Sequence, residues 1–309
     1  MAGYILRRFG LLLGSLLVVA TLTFFLLHAI PGDPFTQEKA IPEEILRAMY
    51  KHYGLDKPLF VQYLQYMKGL LTWDLGPSFK YEGRTINAII GEGFPVSLTL
   101  GLEALFIAVP TGIFLGTLAA WNHRKWQDVW VMILSILGVS VPSFIFATFL
   151  QYVLAIQLDL FPVARWGSFA QSVLPALSLA ALPTAYIARL TRSSVIEVLQ
   201  LDYIQTARCK GLNTWQIVSR HVLRNSLLPV LTYLGPLTAS ILTGSFVVEK
   251  IFGIPGLGSW FVAGVNNRDY TMVMGTAVFY SALLMSASFV VDLLYGLLDP
   301  RIKLVKAHA

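Results

Sequence analysis

The chain has 309 residues, of which 56% are hydrophobic and only 13% charged, and its formal charge is +6. Soluble domains carry about 25% charged residues, so this composition belongs to a membrane protein. The positive balance has no basic aromatic platform around it, which excludes nucleic acid as its target. The lone cysteine, Cys209, excludes an intramolecular disulfide framework and a multi-cysteine zinc site.

A helix needs about 20 apolar residues to cross a bilayer. Six stretches qualify: Phe9–Ile30, Pro95–Trp121, Val129–Ile156, Gln171–Leu190, Leu227–Val248 and Met272–Leu297. The first is read as a retained helix, because its apolar run is too long for a signal peptide and no A-x-A-like cleavage site precedes "PGDPF". Short-loop charges set the orientation. Arg7 and Arg8 precede span one, "NHRK" (Asn122–Lys125) joins spans two and three, a basic segment joins spans four and five, and Arg301, Lys303 and Lys306 follow span six. That side is cytoplasmic and holds both termini. The segment 31–94 is long and mixed in charge, and lies outside. Within it "PEEILRAMYKHYGL" has helical spacing ending at Gly54, and "GLLTWDLGPSFKY" reads as loop. The expected division is therefore 1–30 tail and first span, 31–94 outer insertion, 95–300 core and 301–309 cytoplasmic tail.

The segment "DYIQTARCKGLNTWQIVSRHVLRNSLLP", Asp202 to Pro229, departs from this greasy background. Leu199–Lys210 reads as a short helix stopped by Gly211 at the left-handed C′ position. Asn213 with Gln216 three residues on forms a partial capping box for a second helix from Thr214 towards Asn225. Trp215, Val218, Val222 and Leu223 are placed at the protein or lipid boundary, and Arg220 and Arg224 share a polar face. Ala207 and Gly211, small and four apart, leave room for a partner to approach the backbone. Two readings fit this pattern: an amphipathic pair resting on anionic lipid, or a docking knob for a soluble partner.

The same segment resembles the cytoplasmic EAA loop of ATP-binding-cassette importer permeases. In place of Glu-Ala-Ala it has Gln205-Thr206-Ala207, followed by Gly211 and by Leu228-Pro229. The departures are Gln and Thr for Glu and Ala. "ILRR", "PGDPF", "GPSFKY", "VPSF", "YLGP", "LTGSFVVEKIFGIPGLG", "NRDY" and "DPRIK" extend the likeness over nearly the whole chain, towards the peptide branch and its oligopeptide permease B subunits. The resemblance implies an all-α integral membrane protein: six transmembrane helices of the type I importer permease fold, with a cytoplasmic coupling helix pair and an extracytoplasmic insertion after helix 1. It implies half of a heterodimeric pore for oligopeptides, or alternatively for dipeptides, glutathione or a nickel chelate. It also implies four partners: a homologous permease subunit, two ATPase subunits that hold ATP and Mg, and an outer peptide-binding protein. The ATPase contact would lie at Gln205, Thr206, Ala207, Arg208, Lys210, Gly211 and Leu212. This chain has no G-x-x-x-x-G-K-[ST] of its own and binds no ATP by a P-loop.

Pathway candidates come from the residues themselves. Ionisable groups inside spans are expensive, which singles out Glu103 and Asp292, each also compatible with a structural pairing. Ser140, Ser143, Thr243 and Ser245 could line a path or aid packing. Pro142, Pro183 and Pro236 are expected to kink their spans. The glycine-rich stretch after span five, with Glu249, Gly253, Gly256 and Gly258, reads as a re-entrant gate structure or as a plain connecting turn. His28 sits at the outer end of span one, where it is more simply interfacial than a proton relay. An intramembrane serine protease would need a base beside a nucleophile. The other histidines lie outside the spans and no G-x-S-x-G accompanies His28, so a non-enzymatic chain is expected.

Overall fold

A computed structural model describes residues 2–30, 35, 43–242 and 244–298, with side chains from Ile5 to Val290 among them. Thr243, the side chain of Asp292, the tail from residue 301 and all of "PGDPF" except Phe35 lie outside the described residues. The described regular elements are all helices, and the one β-type pairing among them is an isolated bridge between Pro77 and Thr85. By contact the chain divides into two units, 1–97 with 255–289, and 98–254 with 290–309.

The first unit holds α1 (Ala2–Ala29), α2 (Glu43–Tyr53), α3 (Leu59–Thr72), the start of α4 (Ile86–Trp121), α13 (Leu257–Asn266) and most of α14 (Tyr270–Leu298). α2 ends as expected, with Gly54 in the left-handed region at φ +69°. α3 differs from the sequence expectation: it takes in "GLLT" as helix rather than loop. α4 also begins well before Pro95. Aromatic side chains make one core: Phe24, Phe35, Phe79 and Tyr270 with Met274, flanked by Tyr53, Tyr63 and Tyr66. A second core joins Ile86, Ile89 and Ile90 to Leu257 and Met272. Asp269 is fully buried between them in sequence and caps α14, accepting from Met272 N at 3.1 Å and Thr271 Oγ1 at 2.9 Å. Its carboxylate also takes the Ser78 hydroxyl and the Phe79 N–H, the latter at 3.2 Å. Thus "GPSFKY" and "NRDY" form one hydrogen-bonded clasp, reinforced by the Thr271 hydroxyl, which shares its single proton between Asp269 and Pro77 O (2.7 Å), and by Asn267 Nδ2 donating to the Tyr81 hydroxyl at 3.2 Å.

In the second unit, α5 (Trp126–Ser140) is followed by α6 (Ser143–Leu150), which runs on as a π-helical turn over Gln151–Gln157. The expected single span Val129–Ile156 is therefore broken, with its two parts bent by 107°. Pro142 causes the break: the residue before a proline is pushed out of the helical region, and Val141 is extended at φ −83°, ψ 120°. α7 (Phe169–Leu199) is the central post, packed against α5, α6, α11 (Leu228–Leu242) and α12 (Phe246–Phe252). It carries Pro175 and Pro183 without interruption. The expected span Leu227–Val248 also ends early. α11 stops at Leu242, Gly244 follows at φ +87°, and Ser245 starts α12.

Close helix contact on α7 depends on glycine. A Cβ at Gly112 would stand 2.7 Å from Ile187 Cβ, and one at Gly116 would stand 2.4 Å from Ala188 O. These two positions form a G-x-x-x-G face that lets α4 approach α7 closely. Ala104, Ala108, Ala180, Ile187, Val230, Leu237 and Ile241 fill the core that results. By length and hydropathy, Ile5–Ala29, Ile86–Trp121, Phe169–Leu199 and Tyr270–Val290 are each able to cross a bilayer, and the bent pair Trp126–Ser140 with Ser143–Gln157 passes as a broken span.

Candidate functional site: the coupling surface

The basic segment folds as a helix–turn–helix. α8 spans Asp202–Cys209, starting later than expected because α7 continues to Leu199 and Leu201 is extended. Its end is a Schellman motif. Gly211 N donates to Arg208 O at 2.9 Å, Leu212 N donates to Ala207 O at 3.3 Å, and Gly211 sits at φ +76°. Asn213 then closes the expected capping box, accepting from Gln216 N at 2.9 Å while its own N–H donates to Gln216 Oε1 at 3.1 Å. The second arm is α9 (Thr214–Gln216), a π-helical turn at Ile217–Val222, and α10 (Leu223–Ser226). The two arms are tied by Asn225 Nδ2 donating to the Tyr203 hydroxyl at 2.8 Å, and by that hydroxyl donating to His221 O at 3.2 Å.

The inner face is apolar. Ile204, Ala207, Ile217 and Val222 are buried with Ala120, Val195 and Val198, and Leu212 packs on them. This corrects one expectation: Ala207 is small because it fills the core one turn before the stop, and it leaves no room for a partner. The outer face holds Gln205, Thr206, Arg208, Lys210, Gly211, Arg220 and Arg224, all exposed. Val218 and Val222 are buried, whereas Trp215 is 75% exposed. A Cβ at Gly211 would meet nothing within 4 Å, so the turn presents bare backbone. The arrangement can offer an exposed, basic, capped surface to a soluble partner.

An ion cluster that sequence reasoning missed lies on α5 and α7. Arg192 grips Asp128 with two donors, Nε at 2.5 Å and Nη2 at 2.8 Å. The same carboxylate accepts from Arg124 N at 2.9 Å and lies 3.2 Å from His123 Nδ1. Asp128 is buried, and this bidentate pairing fixes the start of α5 to the end of α7. An acid three residues after the basic "NHRK" was the available signal.

The pathway candidates do not converge. Glu103 is half-buried on α4 and has no hydrogen bond or ion pair among the described residues. Ser140 and Ser143 are exposed, on either side of the break at Val141–Pro142. Ser245 caps α12, accepting from Val248 N at 3.4 Å, and Glu249 on that helix is fully buried. α12 packs on α6 and α7, and Phe252 O accepts from Arg165 N at 2.8 Å. Among Gly253, Gly256 and Gly258, only Gly253 takes a left-handed conformation, at φ +62°. Gly256 is buried with ordinary extended backbone, φ −86° and ψ 169°, and Gly258 lies inside α13. Thr243 and the Asp292 side chain fall outside the described residues. His28 is held structurally, 2.8 Å from Phe24 O and 3.3 Å from Gln62 Oε1. No cluster of three or more metal-ligating side chains occurs among the described residues.

Long apolar helices joined to an exposed, capped, basic helix–turn–helix define an integral membrane subunit. The chain belongs to the family of binding-protein-dependent transport system inner membrane components, the permease subunits of ATP-binding-cassette transporters. The model of that family matches residues 112–304, and the model of its N-terminal region matches residues 1–95. The dipeptide transport system permease protein DppB of Bacillus subtilis is 51% identical over 99% of both chains. The oligopeptide transport system permease proteins OppB of Haemophilus influenzae and Escherichia coli K12 are 42% and 41% identical over 98% of this chain and all of theirs. A chain of the MetNI methionine ABC transporter shares the fold, with a TM-score of 0.55 at 16% identity, covering 68% of this chain and 96% of that one. This is a multi-pass subunit of the inner membrane that conducts and couples rather than catalyses.

Proposed function

We propose that this chain forms one half of the pore of an ATP-driven importer of oligopeptides. The observation that carries the reading is full-length identity of 41–51% to permease subunits named for peptide transport. Dipeptides are the second reading, favoured by the 51% identical relative. A homologous permease subunit supplies the other half of the pore, two ATPase subunits hold ATP and Mg, and an outer binding protein delivers the peptide. Closure of the ATPase dimer on ATP moves the exposed face of α8 and the Gly211 turn. The helices packed on α7 carry that motion as a rigid body and open the pore outward. Both termini and the coupling surface are cytoplasmic, and 31–94 is outside, by the placement of Arg and Lys in short loops.

The test of function is ATP-driven uptake by the reconstituted complex of a peptide series from two to six residues. Uptake of the longer members supports the oligopeptide reading, uptake of the two-residue member alone supports the dipeptide reading, and uptake of none overturns both. Orientation is tested in a Cys209→Ser background with single cysteines at Glu43 and His308. Labelling of both from the same side overturns the topology.

A further inference from the structure

The ion cluster at the base of α5 has a geometry that stability alone does not require. Asp128 is 4% exposed, and its carboxylate accepts from Arg192 Nε, Arg192 Nη2 and Arg124 N. A buried ion pair adds little net stability, because apolar side chains of similar volume often hold the same place at least as well. What it adds is direction. A guanidinium fork against a carboxylate fixes angle as well as distance.

The rest of the contact between α5 and α7 has no such direction. Asp128, Val131 and Ser135 are the buried residues of α5. Further along the helix, a Cβ at Gly138 would stand 2.9 Å from Ala185 Cβ. Gly138 is about 15 Å from Asp128 along the helix axis. A glycine against an alanine permits close approach but sets no register. α5 is thus held sterically near its break and latched at its base.

The latch sits where the basic helix–turn–helix joins the bundle. The core under α8 is made by Ala120 at the end of α4 and by Val195 and Val198 near the end of α7. Arg208 of α8 also lies over the Trp121 ring, 5.9 Å from its centroid, at the last residue of α4. A tight turn leads from Trp121 into α5. Lys125 N donates to Asn122 O at 2.9 Å, and Arg124 takes the left-handed region at φ +65° with its N–H held by Asp128. Asp128 therefore binds both the turn after α4 and the last part of α7, and α8 rests on the ends of those same two helices.

We propose that Asp128 and Arg192 are positioning residues of the coupling step: their bidentate pair makes α5 turn with the end of α7 when the ATPase subunits move α8. Without it α7 moves and α5 slips along a contact of small side chains. The proposal rests on the coupling reading of α8. It adds the pair that passes the motion to the broken span.

The test uses the whole complex in proteoliposomes, with binding protein and the peptide series. ATP hydrolysis, peptide imported per ATP and thermal midpoint are measured together. Arg192→Lys keeps the charge and loses the fork. The double variant Asp128→Leu with Arg192→Met replaces the pair by apolar side chains. Both are expected to assemble and hydrolyse ATP, and to import about tenfold less peptide per ATP, a loss within the span of allosteric couplings. The midpoint of the double variant is expected level with wild type or above it. Spin labels at Leu134→Cys on α5 and Gln200→Cys after α7, both exposed positions, are placed in a Cys209→Ser background. Their separation is expected to stay constant on ATP binding with the pair intact and to change in both variants. A merely structural pair would instead lower midpoint, hydrolysis and uptake together and leave the separation constant. Wild-type import per ATP in Arg192→Lys, or constant separation in an assembled variant complex, overturns the proposal. Should the double variant fail to assemble, Arg192→Lys decides alone. Absent uptake of every peptide by the unmutated complex sinks the transport reading instead, and the label separation still tests the latch.

Discussion

Two helices of this chain stop in the same way and do opposite things afterwards. α8 ends at Gly211 with φ +76°, and α12 ends at Gly253 with φ +62°; at both, an added Cβ would meet nothing within 4 Å. After the first stop the chain stays at the surface, and Asn213 restarts a helix whose polar side remains exposed. After the second, Ile254, Gly256, Leu257 and Gly258 are all buried. The stop is local backbone chemistry. Whether the chain then stays exposed or is buried is decided by the residues on either side, basic and amide-bearing in one case, apolar in the other.

The largest effect that would break this comparison is expected from Gly211→Trp. An indole in a left-handed turn is strained and covers the bare backbone of the docking face. ATP-linked uptake should fall below about a tenth of wild type, since coupling free energies of about 1–3 kcal/mol are easily erased by a misfit of this size, while the subunit still inserts. Wild-type uptake would refute the coupling role. Next comes Gly256→Val, where the backbone, φ −86° and ψ 169°, suits valine but the position is buried. Overpacking at a buried site costs about 1–3 kcal/mol, and the expected readout is altered stimulation of ATPase by loaded binding protein. Normal stimulation and uptake in an assembled complex would leave this stretch a plain connection.

Gly211→Ala and Gly253→Ala sharpen the comparison. Both add a methyl into open space at positive φ, so each should cost about 1–2 kcal/mol of backbone strain. Equal shifts in thermal midpoint, with uptake reduced more at Gly211, would separate strain from docking. The smallest effect concerns the caps. Asn213 accepts at 2.9 Å and Ser245 at 3.4 Å. Asn213→Ala should cost about 1 kcal/mol and Ser245→Ala less, read as the difference in thermal midpoints.

The helix–turn–helix of the basic segment was legible because its signals are local: a glycine stop, a capping box and a basic face lie within one short stretch. A small residue such as Ala207 looks alike in sequence whether it makes room for a partner or fills a core, and only its burial among Ala120, Val195 and Ile204 distinguishes them. Pro142 signalled a kink in the third span, but not its size: apolar composition continues across Val141–Pro142, and hydropathy does not register that the two parts turn by 107°. Contacts between distant segments left no periodic trace. Asp128 and Arg192 are 64 residues apart, and Ser78 and Asp269 are 191 apart. The motifs "GPSFKY" and "NRDY" were both visible, but nothing in either showed that each supplies the other's hydrogen-bond partners.

That clasp also places the first unit on a clock. The loop bearing Ser78 leaves the ribosome long before Asp269 exists, and at roughly 5–20 residues per second the wait is about 10–40 s. During that interval the Phe79 N–H and the Ser78 hydroxyl have no carboxylate to receive them, and α14, which Asp269 caps, has not been made. The first unit therefore closes only near the end of synthesis. A ribosome stalled between the two motifs would leave in the membrane a nascent chain whose second unit is largely complete and whose first is still open to quality-control proteases.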